Sequence, residues 1–430
     1  MAREYKDSGI EWIGDVPTHW KVMPLKRTGS FENGLTYSPA DICDENGVLV
    51  LRSSNIQNDK LNFEDKVYVA KCPLSLLVHS GDIVICSRNG SASLVGKCAM
   101  IEGNINATYG AFMMRYRPNY KSNKAFSFYL LQTALQCYKG LYSTTTINQL
   151  TKGVIGQIYV SYPPLSEQRA IASYLDTKCA EIDSLVELQE QMIAQLTDYK
   201  QSVITEAVTK GLNPEAELVP SGIDWIGDVP RKWRVNKVNR LFGIIGSGTT
   251  PNSSDDDAFV GSINWLQSGD INGGIITNAC KKISNDTLAK YSVLSVYKAP
   301  FIIVAMYGAS VGNISISQID ACVNQACCVL SDSQIDFTYA FYAIKSAQRY
   351  LIFRAVGGGQ PNISQYTLRQ LWIPEPPLEE QQSIASYLNT KCAEIDSLID
   401  LKRQKIEALK DYKKSIIFEA VTGKTNLEET

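Results

Sequence analysis

Two tandem α/β domains of α+β character, linked by two long helices that form an antiparallel coiled coil, are the fold class the sequence predicts. Three observations predict it. The chain repeats at a spacing of 213 residues: SGIEWIGDVP at Ser8–Pro17 returns as SGIDWIGDVP at Ser221–Pro230, IASYLDTKCAEIDSL at Ile171 returns at Ile384, and YKQSVITEAVT at Tyr199 returns at Tyr412. Each copy closes on a run with apolar residues at steps of four and three, uninterrupted by Gly or Pro. Each interior holds short β-branched runs among amphipathic segments and turn residues. A period this long indicates domain duplication rather than a solenoid. The two copies are therefore expected to be related by a pseudo-two-fold axis.

Residues 1–20 form an N-terminal repeated segment, and residues 21–162 a first domain. Within that domain GDIVICS (Gly81–Ser87) has the composition of a buried strand and NKAFSFYLLQTALQCY (Asn123–Tyr138) that of a helix. Residues 163–210 form the first long helix. Pro163 and Pro164 stand where proline suits a helix start, and Gly211 where glycine suits a stop. The heptad seam runs through Ile171, Leu175, Lys178, Ile182, Leu185, Gln189, Met192, Leu196, Tyr199, Val203 and Glu206. A helix of that span is about 65 Å long.

Residues 211–230 are a linker carrying the second decapeptide, and residues 231–375 a second domain. There APFIIVAM (Ala299–Met306) reads as a strand and DFTYAFYAIKSAQRYL (Asp336–Leu351) as a helix. Residues 376–423 form the second long helix, with a seam from Ile384 through Leu388, Lys391, Ile395, Leu398, Lys402, Lys405, Leu409, Tyr412 and Ile416 to Glu419. Residues 424–430 are a tail. An apolar seam needs a partner, and the nearest is the seam of the other copy.

The repeat is uneven. Its ends match, whereas ENGLTYSPADICDENG and IIGSGTTPNSSDDDAF occupy comparable places and share little. Two copies thus share a frame and present different surfaces. Trp12 and Trp225 sit in the repeated frame and read as anchors. Each decapeptide is expected to pack where helix and domain meet, or against a partner protein. The first would dock beside the far end of the second helix.

The net charge of −2 hides a partition: residues 1–162 carry +4, 163–220 −6, 221–375 +2 and 376–430 −2. Mildly basic domains permit contact with a polyanion without demanding it. No apolar run reaches membrane-spanning length and the N-terminus lacks a signal-peptide core, so a cytoplasmic protein is expected. The chain has eleven cysteines and no C-x-x-C pair, and its two histidines are His19 and His79. No metal site is expected, and the cysteines read as free thiols.

Catalytic signatures are lacking as well. Gly308–Gly312 matches G-x-S-x-G, but no histidine follows the serine as the hydrolase order requires. There is no G-x-x-x-x-G-K-[ST] loop and no dinucleotide fingerprint. Tyr162-Pro163-Pro164 and Glu375-Pro376-Pro377 lack the leading Asn or Asp of an amino-methyltransferase motif. The duplicated unit carries no duplicated catalytic set, which points to a binding protein.

Each unit is a variable α/β domain, then P-P-L-x-E-Q (Pro163–Gln168, Pro376–Gln381), then I-x-x-Y-L (Ile171–Leu175, Ile384–Leu388), then a long helix with A-x-I-D. Written twice over almost the whole chain, this layout resembles the specificity subunit of type I restriction–modification enzymes. The resemblance implies a non-catalytic subunit whose two variable domains are target recognition domains. Each would read one half of a split, asymmetric sequence in double-stranded DNA, with the paired helices fixing the gap. It implies two methyltransferase (modification) subunits that methylate adenine with S-adenosylmethionine, and restriction (motor-nuclease) subunits that use ATP and Mg. No cofactor is expected on this chain itself, and no membrane partner. A rival reading is a non-catalytic coiled-coil scaffold with two protein-binding domains, which leaves the divergent interiors unexplained.

On the DNA-binding reading, base-contacting residues belong in the variable polar stretches. The candidates in the first domain are Arg52, Asn55, Arg88, Asn89, Thr144, Thr145, Thr146 and Asn148. Those in the second are Gln267, Tyr307, Ser310, Gln360, Asn362 and Ser364. Arg matches guanine, and Asn or Gln matches adenine. Lys97, Lys139 and Lys152 suit phosphates, which position without specifying.

Overall fold

The computed structural model describes residues 3–138, 149–252, 256–308, 310–355 and 362–426. The chain divides into two compact units, one of Met1–Glu190 with Gln404–Thr430 and one of Gln191–Arg403. The first long helix, Leu165–Lys210, and the second, Leu378–Val421, each contribute one part to each unit.

In the first unit, Gly29–Asn33, Met113–Pro118, Ile83–Cys86 and Cys98–Met100 form an antiparallel sheet. A second, mixed sheet holds Ile42–Cys43, Tyr68–Val69, Val48–Leu51 and Ala107–Tyr109, the last two parallel. The strand read from GDIVICS is buried on both faces. Val84 and Cys86 pack with Leu49, Leu51 and Tyr109 of the second sheet. Ile83 and Ile85, on the opposite face of the pleat, pack with Phe126 and Leu130 of the helix Lys124–Cys137. Burial on both faces is why this strand reads as a continuous apolar run rather than an alternation.

The second unit repeats the plan with other residues. A five-stranded sheet runs Phe242–Gly246, Cys327–Ser333, Phe301–Ala305, Ile314–Ser317, Ile275–Ile276. A three-stranded sheet runs Lys281–Ile283, Ile263–Leu266, Ala321–Val323. Ile302 and Val304 face the helix Phe337–Ser346, and Phe301, Ile303 and Ala305 face the smaller sheet. The single helix expected over Asp336–Leu351 is instead Phe337–Ser346 followed by Gln348–Phe353.

Each domain is closed by a strand pair at its ends, Lys21–Pro24 with Tyr159–Tyr162 and Arg234–Lys237 with Trp372–Glu375. The helix that follows starts at a clamp built from the P-P-L-x-E-Q motif. Gln168, buried, donates from Nε2 to Pro163 O (2.9 Å) and accepts at Oε1 from Asn123 N (2.9 Å). Gln381 does the same with Pro376 O (2.7 Å) and Asp336 N (2.7 Å). Asn123 and Asp336 in turn cap their helices, accepting from Phe126 N (2.9 Å) and Tyr339 N (2.8 Å). The motif's glutamates take indole N–H groups: Trp20 Nε1 donates to Glu167 (2.9 Å) and Trp233 Nε1 to Glu380 (2.8 Å).

The decapeptides complete these junctions. In the first unit Trp12 lies edge-on to Tyr138 and 6.5 Å from Phe418, while Lys424 Nζ donates to Ile13 O (2.9 Å). The first decapeptide thus docks on the end of the second long helix, as expected. In the second unit Gly211, at the end of the first long helix, sits where a Cβ would lie 3.0 Å from the Trp233 ring. Gly423 meets Pro17 and Trp20 in the same way, and both glycines have φ near the left-handed value, +77° and +79°.

Within each unit the two helix parts run antiparallel. Lys413 pairs with Asp183 (2.7 Å) in one, and Lys200 with Asp396 (2.6 Å) in the other. The buried stripe departs from the heptad seam. It follows Ile171, Leu175, Cys179, Ile182 and Gln189, then Ile204 and Val208. On the second helix it follows Ile384, Leu388, Cys392, Ile395, Ile399, Ile406, Ile417 and Val421. That advance is near the 3.6 residues per turn of a straight helix, which drifts about 20° per heptad from a 3.5-residue seam. Leu185, Tyr199, Leu398 and Tyr412, expected in the seam, are 43%, 58%, 47% and 56% exposed, whereas the seam residues Ile182, Gln189, Ile395 and Ile416 are buried. Lys178 and Lys391 point to Glu181 and Glu394 of their own helices.

Replacing Gln168 by Ala strands the Asn123 N–H and the Pro163 carbonyl. Such unsatisfied groups cost about 1–3 kcal/mol each, so Gln168→Ala is expected to lower the chemical denaturation midpoint. An unchanged midpoint would refute the clamp.

Candidate nucleic-acid interface

In the first unit three strands, Val48–Leu51, Ile83–Cys86 and Ala107–Tyr109, end at one edge, where Met113–Pro118 begins. Backbone bonds tie their loops together: Gly110 N to Leu51 O (2.9 Å), Ser87 N and Arg88 N to Phe112 O (2.9 and 3.1 Å), and Leu150 N to Ser87 O (2.7 Å). Gly34 lies against the same edge, so close that a Cβ there would sit 2.0 Å from Gly110 O. Only glycine permits that approach.

This edge gathers Arg52, Arg88, Asn89 and the backbone of Lys97, whose carbonyl accepts from Cys86 N (2.8 Å). Arg52 opens a 3₁₀ turn over Ser53–Asn55 and pairs with Asp65, which also accepts from Ser54 Oγ (2.6 Å). Arg88 is exposed, its guanidinium 5.3 Å over the ring of the exposed Phe112. That cation–π contact orients the side chain without consuming its donors. Asn89 reaches Ser53 Oγ from Nδ2 (3.3 Å).

Asn55 has a different role from the one expected. It is fully buried; Oδ1 accepts from Arg52 N (2.8 Å), and Nδ2 donates to Asn62 O (3.0 Å) and Asp65 O (2.6 Å). Every polar site that could meet a base is occupied, so Asn55 shapes the turn that presents Arg52. Lys152 pairs with Glu32 (3.1 Å).

The second unit builds the same edge from Ile263–Leu266, Phe301–Ala305 and Ala321–Val323. Asn324 N donates to Leu266 O (2.9 Å), Met306 N to Ala326 O (2.7 Å) and Ile363 N to Met306 O (2.7 Å). Gly248 takes the place of Gly34, 1.8 Å from Val323 O for a Cβ. Gln267 opens the 3₁₀ turn Ser268–Asp270, and Asp270 accepts from Gln267 N (2.9 Å) as Asn55 does from Arg52. Ser310 Oγ donates to Ser268 O (2.8 Å). Ser364 caps the helix Gln365–Arg369 by accepting from Thr367 N (3.0 Å).

The correspondence places Gln267 where the first unit has Arg52, and Tyr307 where it has Arg88. Arg88 bridges Gln149 in antiparallel fashion, and Tyr307 bridges Asn362. Burial pushes the Tyr307 phenol above its ordinary pKa, so at neutral pH it is a neutral hydrogen-bonding group. Thr144, Thr145, Thr146, Asn148, Lys139 and Gln360 lie outside the described residues.

Three residues at these edges escaped the sequence reading: Phe112, Gln149 and Gln325, whose Oε1 accepts from Thr250 Oγ1 (2.6 Å). A signal for one existed. Gln149-Leu150-Thr151 and Asn362-Ile363-Ser364 share an amide–aliphatic–hydroxyl pattern at the 213-residue spacing. Among the described residues no group of three or more His, Cys, Asp or Glu could hold a metal ion, and no helix is long and apolar enough to cross a membrane.

Residues 17–198 and 230–411 each match the family model for the type I restriction modification DNA specificity domain. The putative type I restriction enzyme MjaX specificity subunit of Methanocaldococcus jannaschii is 27% identical over all of this chain and 99% of its own length. The type I restriction enzyme EcoKI specificity subunit of Escherichia coli is 30% identical over 45% of this chain and 44% of its own. A solved structure concerned with complex assembly and conformational transition of the type I R-M system matches with a TM-score of 0.68. It covers 95% of this chain and 99% of that chain at 17% identity, a likeness of fold.

Asn55→Ala removes three internal hydrogen bonds from a buried turn. The expected outcome is a loss of about 1–3 kcal/mol in stability, read by thermal or chemical unfolding. Unchanged stability would return Asn55 to the exposed candidates.

Proposed function

The chain belongs to the type I restriction modification DNA specificity family, and we propose from that premise that, as a non-catalytic specificity subunit, it reads a bipartite, asymmetric DNA sequence. Each unit reads one half. The observation that carries this reading is the pair of equivalent strand-end edges that present unlike side chains, Arg52 and Arg88 in one unit, Gln267 and Tyr307 in the other. An Arg held over an aromatic ring favours guanine, whereas a carboxamide favours adenine. Equal frames with unequal readers yield two unlike half-sites.

In this reading Arg52, Arg88, Asn89, Gln267, Tyr307, Ser310 and Asn362 face bases, while Lys97 serves phosphates. The undescribed Thr144, Thr145, Thr146, Asn148 and Gln360 belong to the same proposal. Asn55 and Ser364 support the backbone.

Two methyltransferase subunits are the partners proposed for the repeated frame, with restriction subunits joining them in the cytoplasm. Exposed apolar residues at matched positions, Leu185 with Leu398 and Tyr199 with Tyr412, favour two like partners. S-adenosylmethionine, ATP and Mg belong to those partners.

The test is adenine-methylation mapping in a host carrying this chain with its methyltransferase subunits. A split motif with two unlike halves is expected; a single continuous motif, or none, would overturn the reading. In the same assay Arg88→Ala should relax one base position in one half only. Relaxation in both halves would contradict its assignment. Helix length should set the gap. Four residues inserted near Glu190 add about 6 Å, close to two base pairs at roughly 3.4 Å each. The unspecified gap should lengthen with both half-sites intact, and an unaltered gap would remove the ruler from the proposal.

A further inference from the structure

Gln149 and Asn362 occupy one position in two copies of the same edge. Each lies across an antiparallel bridge from the second residue after the strand Ile83–Cys86 or Phe301–Ala305, namely Arg88 or Tyr307. The next residue, Leu150 or Ile363, is fully buried, and its N–H is bonded at 2.7 Å to Ser87 O or Met306 O. The residue after that caps a short helix: Thr151 accepts from Val154 N (3.3 Å) and Ser364 from Thr367 N (3.0 Å). The backbone at Gln149 and Asn362 is thus pinned on three sides. Both side chains are exposed, and neither has a hydrogen-bond partner among the described residues.

An exposed, unpaired carboxamide on a rigid support matches what base reading needs, because a bidentate contact demands a fixed approach. Gln and Asn both offer one acceptor and two donors in the pattern that fits adenine at N6 and N7. A residue serving only the fold would spend that amide internally, as Asn55 does.

We propose that Gln149 is a specificity-determining residue of the first unit, reading an adenine next to the base faced by Arg88, the counterpart of the role already given to Asn362 in the other half-site. This rests on the bipartite reading above.

The experiment is methylation mapping with the full chain and its methyltransferase subunits, comparing wild type, Gln149→Ala and Asn362→Ala. The expected result is one adenine position that becomes degenerate in one half-site for Gln149→Ala, and one in the other half-site for Asn362→Ala. Discrimination at that position should fall roughly ten- to a hundredfold, with the gap and the remaining bases unaltered. A Gln149→Ala motif identical to the wild-type split motif would overturn the inference while leaving the bipartite reading intact. Degeneracy at a base other than adenine would also overturn it. A wild type without a split motif would remove the parent reading. Should Gln149→Ala give no methylation at all, Gln149→Glu separates the causes. A glutamate at this exposed position leaves the fold intact and should move the preference from adenine toward cytosine. Retained adenine with Gln149→Glu would overturn the inference.

Discussion

The repeated segments that flank each domain converge on the start of a long helix. Gln168 and Gln381, buried and bonded on both sides, tie the helix start to the domain helix cap. Beside them Glu167 and Glu380 hold an indole N–H. The glycine that ends the other long helix lies under the same tryptophan. Such a junction tolerates little change, because a buried polar group without its partner costs about as much as several surface contacts supply. The decapeptide is one part of it. Its tryptophan packs on aromatic rings of the same unit, so its near-identity in both copies follows from a shared structural task.

The domains face the opposite constraint. Their two sheets and helix need only apolar residues of suitable size, and the copies fill that requirement with different side chains. What is kept is the backbone plan: strand ends at one edge, a glycine pressed against it, a 3₁₀ turn and a short capped helix. The loops on this plan are free to differ, and they do. A rigid frame with replaceable loops permits the exposed edge to change without disturbing how the helices pair.

The long helices illustrate how a local pattern can mislead over distance. A seam stepped by four and three from Ile171 begins on the buried stripe and ends beside it, at Val203 and Glu206 rather than Ile204 and Val208. The error is small per turn and large over the whole run. Leu185, Tyr199, Leu398 and Tyr412, expected inside, lie at the surface.

The sequence by itself determined the duplication, the presence of the long helices, the mixed domains, the buried strands at Ile83–Cys86 and Phe301–Ala305 and the docking of the first decapeptide on the second helix. These follow from periodicity, capping residues and repetition, which are local or self-referential signals. It also named Arg52, Arg88, Gln267 and Tyr307 as candidates in the variable polar stretches. Tertiary structure alone decided that Arg52 matches Gln267 and Arg88 matches Tyr307, since insertions shift both pairs away from the 213-residue register. It alone separated Asn55, consumed by its own turn, from Gln149, whose side chain has no hydrogen-bond partner among the described residues. Hydrogen-bond satisfaction depends on which distant backbone groups arrive beside a side chain, and no window of sequence contains that.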